Sequence, residues 1–382
     1  MKIEQIFFEH DKWNEIASSN KPNKEKVQFV LSFGDRNLIS ESSAHAHLKS
    51  LYPNACIIMG STSGEIYNNM VNNHTIITTA VEFEKTTIKT AAINISAVED
   101  SFELGKKLYE NLDKENLQYI FVLSDGGLVN GSELVKGMNA HPHPIPISGG
   151  LAGDDTRFEK TVVGLNAIPQ QGEVIAVGFY GNNLHVGHGS MGGWDMFGPE
   201  RTITKSDKNV LYEIDGRNAL DLYKEYLNNY ASELPGAALL FPLSIKLEKD
   251  SEPLVRTILS IDDAKKTMTF AGDLPEGCSV RLMKSNFDRI IDASSVAAGK
   301  SFESIKEFAT DHSSLSILIS CVGRKLVLNE RIDEEVESAS ELFNNKTVIT
   351  GFYSYGEISP LKANSNCELH NQTMTITTLC EI

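Results

Sequence analysis

The residues of this chain whose types and spacing could do chemistry are carboxylates set in glycine turns. The run 56–66 reads CIIMGSTSGEI, and the run 347–360 reads TVITGFYSYGEISP. Each opens with β-branched and apolar residues that do not alternate, the pattern of a strand buried on both faces, and each ends in small residues and Gly-Glu-Ile. A third run, 145–155, reads IPISGGLAGDD and carries Asp154 and Asp155 in place of the glutamate. A carboxylate at a strand end can face a ligand ammonium. Glu65, Glu357, Asp154 and Asp155 are therefore candidate ligand groups, with Ser63 and Gly150 in the same turns. Three turns of one design point to one ligand site assembled at strand ends.

The complement of such carboxylates is a guanidinium, which holds a ligand carboxylate through two parallel hydrogen bonds. Arg324 follows Cys321 and Gly323 in a segment, SCVGRK, that reads as a loop, and Arg256 falls within an expected strand. Opposed acid and guanidinium groups describe an amino-acid site, to which backbone N–H groups freed by the glycines could add anion contacts. Tyr353 and Tyr355, with Trp194, would supply an apolar wall. Each assignment has a plainer rival. An acid after glycine often bonds its own turn, a strand arginine pairs across its sheet, and aromatic residues beside strands are commonly core.

Catalysis is the competing chemistry. Cys321 follows an expected buried strand, as a nucleophile does in some hydrolases and transferases, and His370 in HNQT is a conceivable base. No fixed spacing joins the two, and a buried structural cysteine is the commoner case, so the chain is expected not to be an enzyme. Gly187, Gly189 and Gly192 spell G-x-G-x-x-G, but Trp194, Gly198 and Pro199 follow where a dinucleotide site needs a helix. His141 and His143 alternate with Pro142 and Pro144 in an extended stretch without a third ligand in reach. No metal or cofactor is expected.

The elements that must position these groups read as mixed α/β. A strand over 27–33, a helix over 41–51 and the strand from 56 form a parallel unit with the helix on one face. Residues 74–96 alternate polar and apolar positions about Glu84 and Lys85, which predicts an antiparallel hairpin. A helix over 100–115 leads to a second unit: strand 119–123, helix 132–138, strand to Gly150. A third has a helix from Ser301, strand 316–320, helix 333–343 and the strand from Thr347. Between them lie β segments, with strands expected over 237–245, 255–261, 267–270 and 279–283. The fold expected is α/β, with mixed sheets flanked by helices and two related domains, 1–215 and 216–382, from an internal duplication.

With 35 Lys+Arg against 51 Asp+Glu, the net charge of −16 disfavours nucleic acid and anionic membrane surfaces as partners. No apolar run reaches the ~18 residues of a membrane-spanning helix, and the N-terminus does not read as a signal peptide. Five scattered cysteines without a Cys-x-x-Cys pair fit reduced thiols, and the expected location is the cytoplasm.

The run SGGLAGDD, the stretch TITKSDKNVLYEIDGRNALDLYKEYL, and the later SCVGRK, GFYSYGEISP and HNQT resemble the FIST (F-box and intracellular signal transduction) sensory domain, N- and C-terminal parts, over about residues 27–381. The resemblance implies intracellular sensing of a small ligand, an amino acid or related metabolite, with a signalling protein as partner. A ligand-free scaffold for protein partners is the further alternative.

Overall fold

A computed structural model of the chain describes residues 1–16, 20–141, 145–247, 252–309, 312–343, 346–362 and 365–382. Its frame is one unit used three times. In the first unit β1 (Phe29–Gly34) leads through α1 (Ser42–Leu51) to β2 (Cys56–Ser61), and a turn delivers the chain to β3 (Glu65–Tyr67). The second unit follows α2 (Ser101–Glu110) and consists of β4 (Leu117–Ser124), α3 (Gly131–Met138), β5 (Ile147–Leu151) and β6 (Val163–Leu165). The third follows α4 (Phe287–Glu303) with β7 (Ser314–Cys321), α5 (Val322–Leu328), α6 (Ile332–Ser340), β8 (Thr347–Ser354) and β9 (Gly356–Pro360).

Within each unit the two long strands are parallel: β1 with β2, β4 with β5, β7 with β8. The short last strand leaves its own sheet. β3 pairs with β8 of the third unit, β9 pairs with β5 of the second, and β6 pairs with β2 of the first. The exchange closes a ring. Antiparallel strands, among them Ile76–Glu82, Glu173–Tyr180 and Met374–Glu381, complete three mixed sheets, each of six strands among the described residues.

Strands buried on both faces explain why the apolar runs do not alternate. Phe29, Leu31 and Phe33, Tyr119, Phe121 and Leu123, and Leu315, Ile317 and Ile319 point alternately inward to a core shared by all three sheets. Their neighbours meet helices instead: Val30 and Ile57 with α1, Ile120 and Val122 with α2 and α3, Leu318 and Ile349 with α4 and α6. The helices start at side-chain caps, with Asp100, Asn130 and Asn286 accepting from backbone N–H groups of α2, α3 and α4.

A fourth sheet of eight strands, from Asp195–Asp207 through Ser279–Lys284, has its own apolar core with helix Ala219–Leu227. The residues before it hold two units and those after it hold one. The duplicated halves are thus unequal.

Several local expectations differ. Strands Ile76–Glu82 and Thr87–Asn94 do not form a hairpin; each pairs in a different sheet. The backbone N–H groups of Glu84, Lys85 and Thr86 bond the Glu381 carboxylate, which carries the chain from one sheet to the next. Residues 236–240 form a short 3-10 helix where a strand was expected, and the strand there is Leu243–Lys246. The helix expected from Ser301 is divided: its first residues end α4, which starts at Phe287 where Asn286 caps it, and Lys306–Ala309 forms a separate short helix before β7. The glycines near 187–193 let a strand lie against α4. A methyl on Gly187 or Gly189 would lie 1.9 Å from the Ser301 or Ala297 carbonyl oxygen.

Two strand glycines sit where the parallel pairs are tightest. A methyl on Gly149, at φ +150°, would lie 1.9 Å from the Val122 oxygen, and one on Gly351 would lie 1.9 Å from the Leu318 oxygen. Gly351→Ala is expected to lower the unfolding free energy by at least about 1–3 kcal/mol in urea titration. An unchanged midpoint would show that β7 and β8 spread apart without loss.

Candidate functional site

The strand exchange brings the three glycine turns together. The N–H of Ser63 donates to the Tyr353 carbonyl at 2.8 Å, that of Tyr355 to Leu151 at 3.2 Å, and that of Gly153 to Ser61 at 2.9 Å. Each turn thus closes on another unit, and the cycle repeats one geometry three times. In this register Thr62, Ala152 and Ser354 correspond, as do Glu65, Asp155 and Glu357 three residues later.

In two units the carboxylate folds back on its own turn. Glu65 accepts from the Thr62 hydroxyl and, at 2.8 Å, from that of Thr75; Glu357 accepts from Ser354 at 2.7 Å and from the Thr373 N–H at 3.3 Å. Both are fully buried. Burial pushes Glu65 up to about 7, against its hydroxyl donors and the Lys325 ammonium. Burial pushes Glu357 up to about 8, against Ser354, Thr373 and Arg324. Gly150 pairs in register with Glu357, and a methyl there would press on Ile319.

The second unit has alanine where the others have a hydroxyl. Ala152 offers Asp155 no donor, and Asp155 instead meets Lys325 of α5 at 3.3 Å with a third of its side chain exposed. Lys325 also donates to the Ser63 carbonyl and the Asn73 side chain. The Ser63 and Tyr355 hydroxyls both donate to the Asp155 carbonyl, and Tyr355 stacks on the exposed Phe158. Asp155, Tyr355 and Lys325 therefore share the outer side of the junction, and Ser63, itself fully buried, is bonded to them through the Asp155 carbonyl and through its own carbonyl to Lys325. Asp154 turns the other way, to Arg36 and Arg157 at 2.7 Å each.

Arg324 lies on α5 and not in a loop, because the helix starts directly after β7. It is fully buried and its Nε donates to Glu335; its other nitrogens reach the Gly192, Ile290 and Gln372 carbonyls. Glu335 also accepts from the Tyr353 hydroxyl at 2.7 Å, so Arg324 and Tyr353 share one buried partner. Cys321 is buried beside Glu357, and burial and that carboxylate push its thiol up. His370 spends Nε2 on the Ser359 carbonyl and is held down at about 4 by burial. Among the described residues no group of three His, Cys, Asp or Glu is placed to hold a metal ion, and His143 lies outside them.

Arg256 lies apart from the junction, in strand Leu254–Arg256 of the fourth sheet. It is 3% exposed and donates only to carbonyls, those of Asp273, Val255 and Leu369, with no carboxylate in ion-pair reach among the described residues. It walls a recess of about 30 Å³ with Glu368 and Leu369, which shares Lys136 and Asp273 with a cleft of about 240 Å³.

The family model of the FIST N domain matches residues 28–217 and that of the FIST C domain matches 219–360. The chain belongs to the FIST family. FIST domains are associated with sensing in signal transduction. A relative, the uncharacterized protein MJ1623 of Methanocaldococcus jannaschii, is 22% identical over 365 residues, covering 87% of this chain and 65% of that protein. The chain thus spans less than two thirds of the relative's length. Among solved structures, cyanuric acid hydrolase from A. caulinodans superposes with a TM-score of 0.37 at 6% identity over 94% of this chain and 91% of that one. PurLQS from Thermotoga maritima gives 0.22 at 7%, over 84% and 74%. No helix among the described residues is long and apolar enough to cross a membrane.

Sequence reasoning missed Lys325, Glu335, Lys136 and Glu368. Lys325 stood beside Arg324 in SCVGRK, and reading that segment as a helix would have marked it as the residue facing elsewhere.

Glu335→Ala leaves the Arg324 guanidinium buried and uncompensated and is expected to cost about 3–5 kcal/mol in urea titration. A cost near zero would mean that the carbonyls alone satisfy Arg324. Glu357 gives a pH signature. Its carboxyl stays protonated to about 8 in the folded chain but only to its ordinary 4.5 when unfolded. The folded state then holds the extra proton between those values, so this group's contribution is full below 4.5 and is lost as pH rises through 8. Glu357→Gln should therefore gain stability relative to the parent with rising pH across that window, and a pH-independent difference would refute the assignment.

Proposed function

We propose that this FIST chain is a sensor that binds a small amino-acid-like metabolite on the outer side of the three-turn junction, and that a partner protein reads the result. The supporting observation is the Asp155–Lys325 pair, with a third of the Asp155 side chain open to solvent, at the one turn whose carboxylate lacks its own hydroxyl clasp. A zwitterion offers an ammonium to Asp155 and a carboxylate to Lys325. Inserting it exchanges one partly solvated ion pair for two and bears on turns from all three units, directly at Asp155 and Tyr355 and through Lys325 at the Ser63 carbonyl.

A signal requires that the ligand bind two states of the junction with different affinity. Lys325 is a suitable lever, since it ties α5 to the first and second units at once. The five cysteines are free, which suits a cytoplasmic sensor, and no catalytic role is assigned to the buried Cys321. A second reading, a ligand-free scaffold for protein partners, draws on the burial of Arg324, Asp154, Glu65 and Glu357 among internal partners.

A thermal-shift screen of the ligand-free protein against amino acids, their amides, polyamines and dicarboxylates separates the two. A ligand at 100 times its dissociation constant adds about 2.7 kcal/mol. The sensor reading expects a selective rise with one amino acid that Asp155→Asn and Lys325→Met abolish. No rise with any amino acid in folded protein would favour the scaffold.

A further inference from the structure

The Arg256 guanidinium in the recess has no carboxylate bonded to it among the described residues. In the adjoining cleft Lys136 meets Glu133 at 2.6 Å and Asp273 at 2.9 Å, and Glu276 accepts from the Ser206 N–H at 3.0 Å. Those acids are occupied. Arg256 has used Nε and Nη1 on carbonyls, and its Nη2 has no partner among the described residues. A guanidinium taken out of water and hydrogen-bonded only to neutral carbonyls is in an unfavourable state: burial draws it down to about 10, against the pull of the Glu368 and Asp273 charges, neither of whose carboxylates bonds to it. Proteins ordinarily supply a carboxylate in such a place. Here Glu368 lines the recess and its charge acts on Arg256 through space, but its side chain forms no ion pair or hydrogen bond with a described residue.

We propose that the recess is a second binding site, independent of the turn junction, in which the free edge of Arg256 holds the carboxylate of a small molecule whose remainder lies in the cleft. The sizes set the class. A recess of about 30 Å³ takes a planar head group of a few atoms, and a cleft of about 240 Å³ takes a body of metabolite size. The cleft wall adds Lys208, which forms no ion pair with a described residue, so a second acidic group on the ligand would find a cation there. The site lies on the seam between α3, the Asp273 turn and strand Cys367–His370, and its occupant would touch all three.

Glu368 is the counterweight. Its carboxylate faces the same recess and repels an incoming anion, so it lowers affinity for a pure carboxylate. Its side chain forms no hydrogen bond or ion pair with a described residue, though its charge offsets that of the buried Arg256, so Glu368→Gln is first checked for an unchanged urea midpoint.

The experiment is hydrogen exchange on the full chain with succinate, acetate or inorganic phosphate, against sodium chloride at equal ionic strength. Succinate is expected to protect 254–256, 272–276 and 367–369. Glu368→Gln should increase its affinity. Arg256→Gln should reduce it roughly tenfold or more, as loss of a charge-assisted hydrogen bond implies. Because Arg256→Gln also loses three structural bonds, Arg256→Lys is measured beside it; weaker binding in a folded variant supports the site. Absence of protection by either carboxylate overturns the proposal. So does equal protection by phosphate, weaker succinate binding in Glu368→Gln, or protection confined to 153–158 and 322–326, which would assign the carboxylate to the junction.

Discussion

The fold depends on three backbone hydrogen bonds that close the glycine turns on one another. Each turn ends a long central strand, and the amide two residues on would be buried without an acceptor inside its own unit. Leaving such a group unpaired costs about 1–3 kcal/mol. The acceptor is the carbonyl at or one residue before the end of the corresponding strand of another unit. The same crossing sends β3, β6 and β9 into sheets not their own. The two matched regions are therefore units of sequence, and neither completes its sheets alone. Residues 28–217 lack β8 and β9, the third-unit partners of β3 and β5, and residues 219–360 lack both partners of β9.

That constraint decides what the carboxylates of the turns do. A turn crowded by two others has no room for a solvated glutamate, so Glu65 and Glu357 are enclosed and bonded to the hydroxyls three residues before them. The clasp needs Thr or Ser at that position. Where the chain has Ala152, the acid is a shorter aspartate, it turns outward, and a lysine from another unit meets it. Two differences, alanine for the hydroxyl residue and aspartate for glutamate, thus separate two structural acids from one that is partly exposed. The same glycine-carboxylate pattern serves both ends, and the hydroxyl and the length of the acid tell them apart.

The strands, the parallel pairing within each unit and the convergence of the three turns were legible in the sequence, because runs buried on both faces and glycines at strand ends are local signals. The Glu-or-Asp recurrence was equally visible. Which carboxylate faces outward was not, since it depends on Ala152 against Thr62 and Ser354, and that comparison requires the threefold register. Glu84 and Lys85 resembled a hairpin tip because a two-residue turn between alternating segments looks the same whether the strands pair or part. The deciding partner, Glu381, is almost 300 residues away. Arg324 looked like a loop residue because glycine beside cysteine reads as a turn. Its helix is held by tertiary burial of Val322, Val327 and Leu328, which no local pattern announces.

The two regions singled out here are joined by one segment. Arg256 donates to the Leu369 carbonyl; the next residue, His370, lies opposite Glu357 in the sheet; and Gln372 and Thr373 give a carbonyl to Arg324 and an N–H to Glu357. Residues 369–373 are thus bonded to the recess at one end and to the junction at the other. Proximity of this kind does not amount to coupling, which needs an element with two arrangements that both sites bias. The buried Glu357 is the group on this segment whose charge state can differ between arrangements: neutral, it sits comfortably in its enclosure; ionised, it calls for more donors than Ser354 and Thr373 supply. A shift of segment 369–373 changes that supply directly. The chemistry of one carboxyl group, and not the length of the path, is what would let a ligand in the recess be felt where the three turns meet.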